Sequence, residues 1–196
     1  MPEHYYTTAP TSGHEERHFE VAFAGKTLRF ETDAGVFSKQ HVDPGSLLLC
    51  KSLPEDLSGD VLDMGCGWGA MTVLTLAAHP DARVTMADVN ERALALAEAN
   101  VRANGMAARA VLSDGFAEIE GQFDAVITNP PIRAGKAVIY GMFEDARAHL
   151  RPGGRLFLVI RKQQGAPSAL KFLQSLYADA RVIERDGGYW IIACRV

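Results

Sequence analysis

Cysteine is scarce in this chain. There are three, Cys50, Cys66 and Cys194, at spacings that suggest no pairing. That excludes a disulfide framework and reads as free thiols in a reducing cytoplasm. No apolar run approaches the ~18–20 residues needed to cross a bilayer, so no membrane partner is expected. The opening stretch MPEHYYTTAPTSGHEER lacks the apolar core of a signal peptide. Positive charge is also short, with 20 Lys and Arg against 24 Asp and Glu and a net charge of −4. Global attraction to nucleic acid is thereby excluded, and any RNA contact must come from a local basic patch. Internal repeats and low-complexity tracts are absent as well. What is present is ordinary globular composition, 47% apolar and 22% charged over 196 residues, enough chain to bury a sizeable core.

The chain divides into an N-terminal extension, 1–55, and a catalytic domain, 56–196. In the extension, 18–31 alternate apolar and polar residues around Ala24-Gly25-Lys26, which predicts a β-hairpin. Asp43-Pro44-Gly45-Ser46 predicts a helix start before an apolar stretch. From Gly59 onward, short β-branched runs alternate with amphipathic stretches. Strands are expected at 61–65, 82–88, 108–114, 124–129 and 155–162, and helices at 69–79, 90–104, 137–150 and 167–178. Arg151-Pro152-Gly153-Gly154 reads as a helix stop. This alternation predicts an α/β fold with a mostly parallel seven-stranded sheet, covered on both faces. The end differs: 180–186 and 189–196 are joined by Gly187-Gly188, which predicts a hairpin and therefore an antiparallel C-terminal strand.

Asp63-Met64-Gly65-Cys66-Gly67-Trp68-Gly69-Ala70 falls between the first sheet strand and its helix. Glycines there let the backbone approach a ligand, and the following helix offers free N–H groups. The spacing also satisfies the loose dinucleotide fingerprint, with Asp88 about 20 residues on. Asp63 favours a different ligand, because a carboxylate repels pyrophosphate but suits an ammonium and a sulfonium. S-adenosylmethionine carries both and no phosphate. Asp88, in Asp88-Val89-Asn90, ends the second strand and can accept from both ribose hydroxyls. Asp114, in Ser113-Asp114-Gly115-Phe116, can accept from the adenine amine while Phe116 offers an apolar contact. Each carboxylate alone could be a helix cap. Cys66 reads as a buried filler, and Trp68 as packing over the loop.

The fourth strand ends in Asn129-Pro130-Pro131. The Asn side-chain carbonyl and the stiffened Pro130 carbonyl are two fixed acceptors, which suit one planar NH₂ group. Accepting both hydrogens can point the nitrogen lone pair at a methyl group, with no metal required. Together these motifs resemble the Asn-Pro-Pro amino-methyltransferases. Asn129-Pro-Pro-Ile-Arg-Ala-Gly-Lys136, with Thr32-Asp33-Ala34-Gly35-Val36-Phe37-Ser38-Lys39 upstream, is similar to the methyltransferase small domain family. That group includes small-subunit ribosomal RNA guanine-N2 methyltransferases and their one-domain relatives. The resemblance implies a Rossmann-like class I fold, S-adenosylmethionine as cofactor, and methylation of an exocyclic amine, guanine N2 of ribosomal RNA. Ile132 stands where base and glutamine methyltransferases usually carry an aromatic, so Phe37 is expected to supply the stacking face. Lys39, Arg133 and Lys136 are expected to form a basic rim.

His14-Glu15-Glu16-Arg17-His18 matches the zinc-protease pattern but lies in a polar terminus with no apolar face, so no metal site is expected there. Three other readings stay open: a protein glutamine methyltransferase, a non-catalytic cofactor-binding module, and a nicotinamide dehydrogenase. The oligomeric state is not fixed by sequence; a monomer is the working expectation.

Overall fold

The structure is a computed structural model that describes residues 17–33 and 41–196. Phe37, Lys39 and the first three residues of the two-histidine stretch lie outside the described residues.

The N-terminal hairpin forms as the alternation requires. β1 (Arg17–Phe23) pairs antiparallel with β2 (Lys26–Thr32) as a separate two-stranded sheet. α1 (Pro44–Lys51) follows. Asp43 is its N-cap, accepting from the Ser46 N–H at 2.9 Å, and Pro44 starts the first turn. The domain then runs β3 (Gly59–Met64), α2 (Ala70–Ala78), β4 (Ala82–Asp88), α3 (Glu91–Ala103), β5 (Arg109–Leu112), β6 (Phe123–Thr128), α4 (Lys136–Ala148), β7 (Leu150–Arg161), α5 (Ala166–Leu176), β8 (Asp179–Asp186) and β9 (Tyr189–Arg195).

These strands make one seven-stranded sheet of order β5-β4-β3-β6-β7-β9-β8. β5, β4, β3, β6 and β7 are parallel, and β9 runs antiparallel between β7 and β8. The central strands are buried on both faces, and two apolar clusters fill the space on either side of the sheet. One joins α1, α2, α3 and the hairpin to the sheet through Leu49, Val61, Val73, Leu74 and Val84; the other joins α4 and α5 through Leu62, Phe143, Leu156 and Leu173.

Two expectations shift. Arg151 to Gly154 do not form a free stop but belong to β7, bulged out opposite Asp124 where the β6–β7 register breaks. Arg151 holds the bulge by pairing with Asp124 at 2.6 Å and Asp60 at 2.7 Å. The third strand is shorter than its apolar run and ends at Leu112, so Asp114 stands beyond it in the following loop.

The hairpin sits behind the glycine loop. Phe19 and Phe30 meet Trp68 edge-on at 5.8 and 5.3 Å. Asn100 of α3 seals the junction: its Oδ1 accepts from the Glu31 N–H at 2.7 Å, and its Nδ2 donates to the Glu31 and Trp68 carbonyls. A buried amide with every polar atom satisfied fixes one arrangement.

Candidate active site

The carboxyl ends of β3, β4 and β6 open into a cleft of about 450 Å³. This is the crevice where open α/β sheets bind ligands. Gly65, Gly67, Asp88, Val89, Asp114, Gly115, Asn129, Pro130 and Pro131 line it, so nine residues expected from sequence converge on one place. Gly65 (φ +73°) and Gly67 (φ +54°) hold left-handed conformations, and a Cβ on either would project into open space. The loop is therefore a cradle that side chains would fill.

Asp88 shapes that cradle. Its Oδ2 accepts from the Gly67 N–H at 2.8 Å and its Oδ1 from the Asn90 N–H at 2.9 Å. Burial pushes its carboxyl above the usual range, opposed by these backbone bonds. Each oxygen keeps a further lone pair for a ligand hydroxyl.

Six of the described residues expected at the site do not line the cleft; four of them are turned into the protein, and Arg133 and Lys136 lie outside it. Asn90 is fully buried and caps α3, accepting from the Ala93 N–H at 3.1 Å. Phe116 turns into the α4 side of the core and packs on His149. Ile132, in a short 3₁₀ turn, packs half-buried against the same cluster. Asp63 lies wholly buried behind the loop, where its Oδ2 accepts from the Thr72 hydroxyl at 2.6 Å. Its Oδ1 is buried and has no hydrogen-bond partner among the described residues. In each case an apolar or strand-end position meets a cap or core site whose geometry the local sequence does not specify. Arg133 and Lys136 are exposed beside the cleft, with the Lys136 ammonium 5.0 Å from the Tyr140 ring centroid. Cys66 is buried, and burial pushes its thiol well up, as suits a filler rather than a nucleophile.

Burial, with the nearby Asp88 charge adding, pushes the Asp63 carboxyl up to about 7 against the pull of its Thr72 bond. An unfolded Asp titrates near ~3.9. Between about pH 4 and pH 7 the unfolded chain therefore loses this proton while the folded chain keeps it. The resulting stability is full below pH ~4 and is lost as the pH rises to about 7. The expected result is that Asp63→Asn loses less unfolding free energy than the parent across that window, by on the order of a few kcal/mol. Parallel pH profiles in denaturant titrations would contradict it.

Among the cleft residues that sequence reasoning misses are two that bond to Asn129, Asp43 and Ser46. The local pattern marks them only as a helix start. Asn129 Nδ2 donates to Ser46 Oγ at 2.9 Å and to Asp43 Oδ2 at 3.2 Å. The extension thus reaches the end of β6, a long-range contact that no local pattern announces.

The residues present fit S-adenosylmethionine. Asp43, Asp88 and Asp114 line the cleft, and none of its described lining residues is Lys, Arg or His. A cationic ligand without phosphate suits that wall, and behind it lies the Asp63 oxygen that has no hydrogen-bond partner among the described residues. Among the described residues no group of three metal-ligating side chains occurs, and no helix is long and apolar enough to cross a membrane.

Comparison with known proteins agrees with the geometry. Residues 27–193 match the family model of the methyltransferase small domain. The chain is 39% identical over 199 residues to the uncharacterized protein YbxB of Bacillus subtilis, covering 100% of this chain and 99% of that one. It is 39% identical over 129 residues to ribosomal RNA small subunit methyltransferase C of Mannheimia succiniciproducens, covering 64% of this chain and 39% of the relative. Among solved structures it is similar to the T. thermophilus 16S rRNA N2 G1207 methyltransferase (RsmC) in complex with AdoMet and guanosine. The TM-score is 0.82 at 29% identity, with 95% of this chain and 52% of that one covered. The chain therefore spans about half, or less, of the length of the ribosomal RNA methyltransferases it matches.

Proposed function

We propose that this chain, which belongs to the methyltransferase small domain family, is an S-adenosylmethionine-dependent methyltransferase acting on the exocyclic amine of guanine, N2, in ribosomal RNA. One observation carries the reading. The glycine cradle, Asp88, Asp114 and Asn129-Pro130-Pro131 share one cleft at the carboxyl end of the sheet, whose described lining includes no Lys, Arg or His. The likeness to an enzyme solved with AdoMet and guanosine supports it.

In this reading Gly65, Gly67 and Gly115 bring backbone close to the cofactor. Asp88 takes the ribose hydroxyls and Asp114 the adenine amine, while Asp63 stays buried behind the loop, bonded to Thr72. When bound, S-adenosylmethionine supplies a methyl group on a positively charged sulfur, an excellent leaving group. The protein's work is then orientation. Asn129 Oδ1 and the Pro130 carbonyl accept the two hydrogens of the target amine, pulling its lone pair out of conjugation and towards the methyl carbon. Pro131 keeps the step rigid by removing a second N–H. The amine loses a proton after transfer, and water at the open mouth takes it.

In this reading the RNA is held at the rim, where Arg133 and Lys136, exposed beside the cleft, meet phosphates. Arg133→Ala with Lys136→Ala is expected to weaken RNA binding and reduce the slope of log affinity against log salt by about 1.4, for two phosphates on a single strand. S-adenosylmethionine affinity should not change. An unaltered salt slope would remove these two residues from the RNA surface.

The reading is tested with purified protein, labelled S-adenosylmethionine and ribosomal RNA from cells lacking the gene. N2-methylguanosine in the digested product is expected. Label appearing in protein glutamine, with none in RNA, would overturn it.

A further inference from the structure

The geometry points to Asp43 and Ser46 as positioning residues for methyl transfer: they lock the Asn129 carboxamide in the one orientation that leaves its oxygen for the substrate. This rests on the reading of Asn129 as an acceptor for the target amine.

An Asn side chain has two ends of nearly equal shape and opposite chemistry, a carbonyl oxygen that accepts and an NH₂ that donates. Only one orientation can receive a substrate NH₂. The other would set two donors against each other. Nothing in Asn-Pro-Pro itself chooses between them, since the prolines fix the backbone and not the second side-chain torsion.

The choice is made by α1. Both hydrogens of Asn129 Nδ2 are taken, one by Ser46 Oγ at 2.9 Å and one by Asp43 Oδ2 at 3.2 Å. A carboxylate can only accept, so the nitrogen end must face Asp43; a flipped amide would bring two acceptors together and leave the nitrogen unpaired. Asn129 Oδ1 accepts no hydrogen bond among the described residues, and Asn129 lines the cleft. The amide is therefore satisfied on one side and available on the other.

The anchors are themselves anchored. Asp43 Oδ2 also accepts from the Ser46 N–H at 2.9 Å, which closes the first turn of α1 around the pair. Gly45, between them, lies so near β9 that a Cβ there would come within 2.7 Å of the Tyr189 ring. Leu49 and Cys50, one turn on, are buried in the core. The height of this helix start above the sheet is thus fixed from both ends, and through it the direction of Asn129. Among the described residues of the extension, the hairpin packs behind the glycine loop, whereas α1 reaches Asn129.

The inference separates positioning from two rival roles. A proton acceptor or an electrostatic partner at Asp43 would need the negative charge. An amide lock needs only an acceptor oxygen. The substitution Asp43→Asn still offers one, and an asparagine caps α1 as well as an aspartate does.

The experiment measures kcat, KM for RNA, S-adenosylmethionine affinity and melting temperature for S46A, D43A, D43N, the D43A/S46A double variant and N129A. S46A keeps the helix cap and should lower kcat about tenfold, the scale of one lost hydrogen bond, with cofactor affinity and melting temperature near the parent's. D43A should fall similarly, and the double variant should approach N129A, because the freed amide then samples the wrong orientation. D43N keeps an acceptor and a cap but removes one carboxylate from the cofactor cleft, so its kcat at saturating S-adenosylmethionine should recover well above that of D43A, whatever happens to cofactor affinity. A D43N loss as large as that of D43A would overturn positioning in favour of a role for the charge. If N129A is inactive while S46A, D43A and the double variant turn over normally, the lock is wrong and the acceptor reading of Asn129 stands. If N129A is also normal, the acceptor reading fails and takes the lock with it.

Discussion

Asn129→Ala is expected to cut methyl transfer by about 10²–10³-fold while S-adenosylmethionine affinity changes little. The asymmetry follows from geometry. Asn129 sits at the end of β6, beside the two prolines, whereas Gly65, Gly67 and Asp88 form the cradle from β3 and β4. The cradle does not use the Asn129 side chain, which bonds to α1 instead. Removing the amide leaves ground-state binding of the cofactor intact and removes an acceptor aimed at the reacting nitrogen. Loss of an interaction that matters at the transition state lowers kcat rather than raising KM alone. Single-turnover transfer and calorimetry on the same preparation check both halves. Near-parental turnover would refute the two-acceptor mechanism, and an equal collapse of cofactor affinity would show Asn129 to be a binding residue.

Asp88→Ala should do the reverse. S-adenosylmethionine affinity is expected to weaken by roughly 1.5–3 kcal/mol, the scale of hydrogen bonds to a charged group, or about 10–150-fold in Kd. Two effects add. The ribose hydroxyls lose their acceptor, and the Gly67 N–H loses the 2.8 Å bond that holds the cradle to the end of β4. The buried neighbour Asp63 is also relieved of a like charge, which lowers its carboxyl towards the usual range. Calorimetry on the folded variant decides the matter, and unchanged affinity would remove Asp88 from the cofactor site.

The fold is legible in the sequence where periodicity is strong. The alternation of short β-branched runs and amphipathic stretches announces the parallel sheet, and Gly187-Gly188 announces the reversed strand, seen as β9 between β7 and β8. Reading fails where backbone geometry departs from pattern. Arg151 to Gly154 has the composition of a stop, yet three ionic groups from different strands fold it into a bulge of β7. In the cleft, the glycines and strand-end carboxylates are legible because a ligand crevice needs them at fixed places in the topology. Asp63, Asn90, Phe116 and Ile132 look ligand-facing in the sequence because each lies close to a residue that is. Burial, a helix cap and core packing turn them away. Asp43 and Ser46 are the converse. Their sequence signal as a helix start is correct but incomplete, since only the tertiary fold brings α1 to Asn129, 83 residues from Ser46.

The most direct measurement is mass spectrometry of nucleosides from small-subunit ribosomal RNA of parent and deletion strains, with the deletion complemented by the intact gene and by the Asn129→Ala variant. The account predicts one methylated guanine nucleoside, N2-methylguanosine, reduced on deletion, restored by the intact gene and left low by the variant. An unchanged N2-methylguanosine level in the deletion strain, or restoration by Asn129→Ala equal to that by the intact gene, would contradict it.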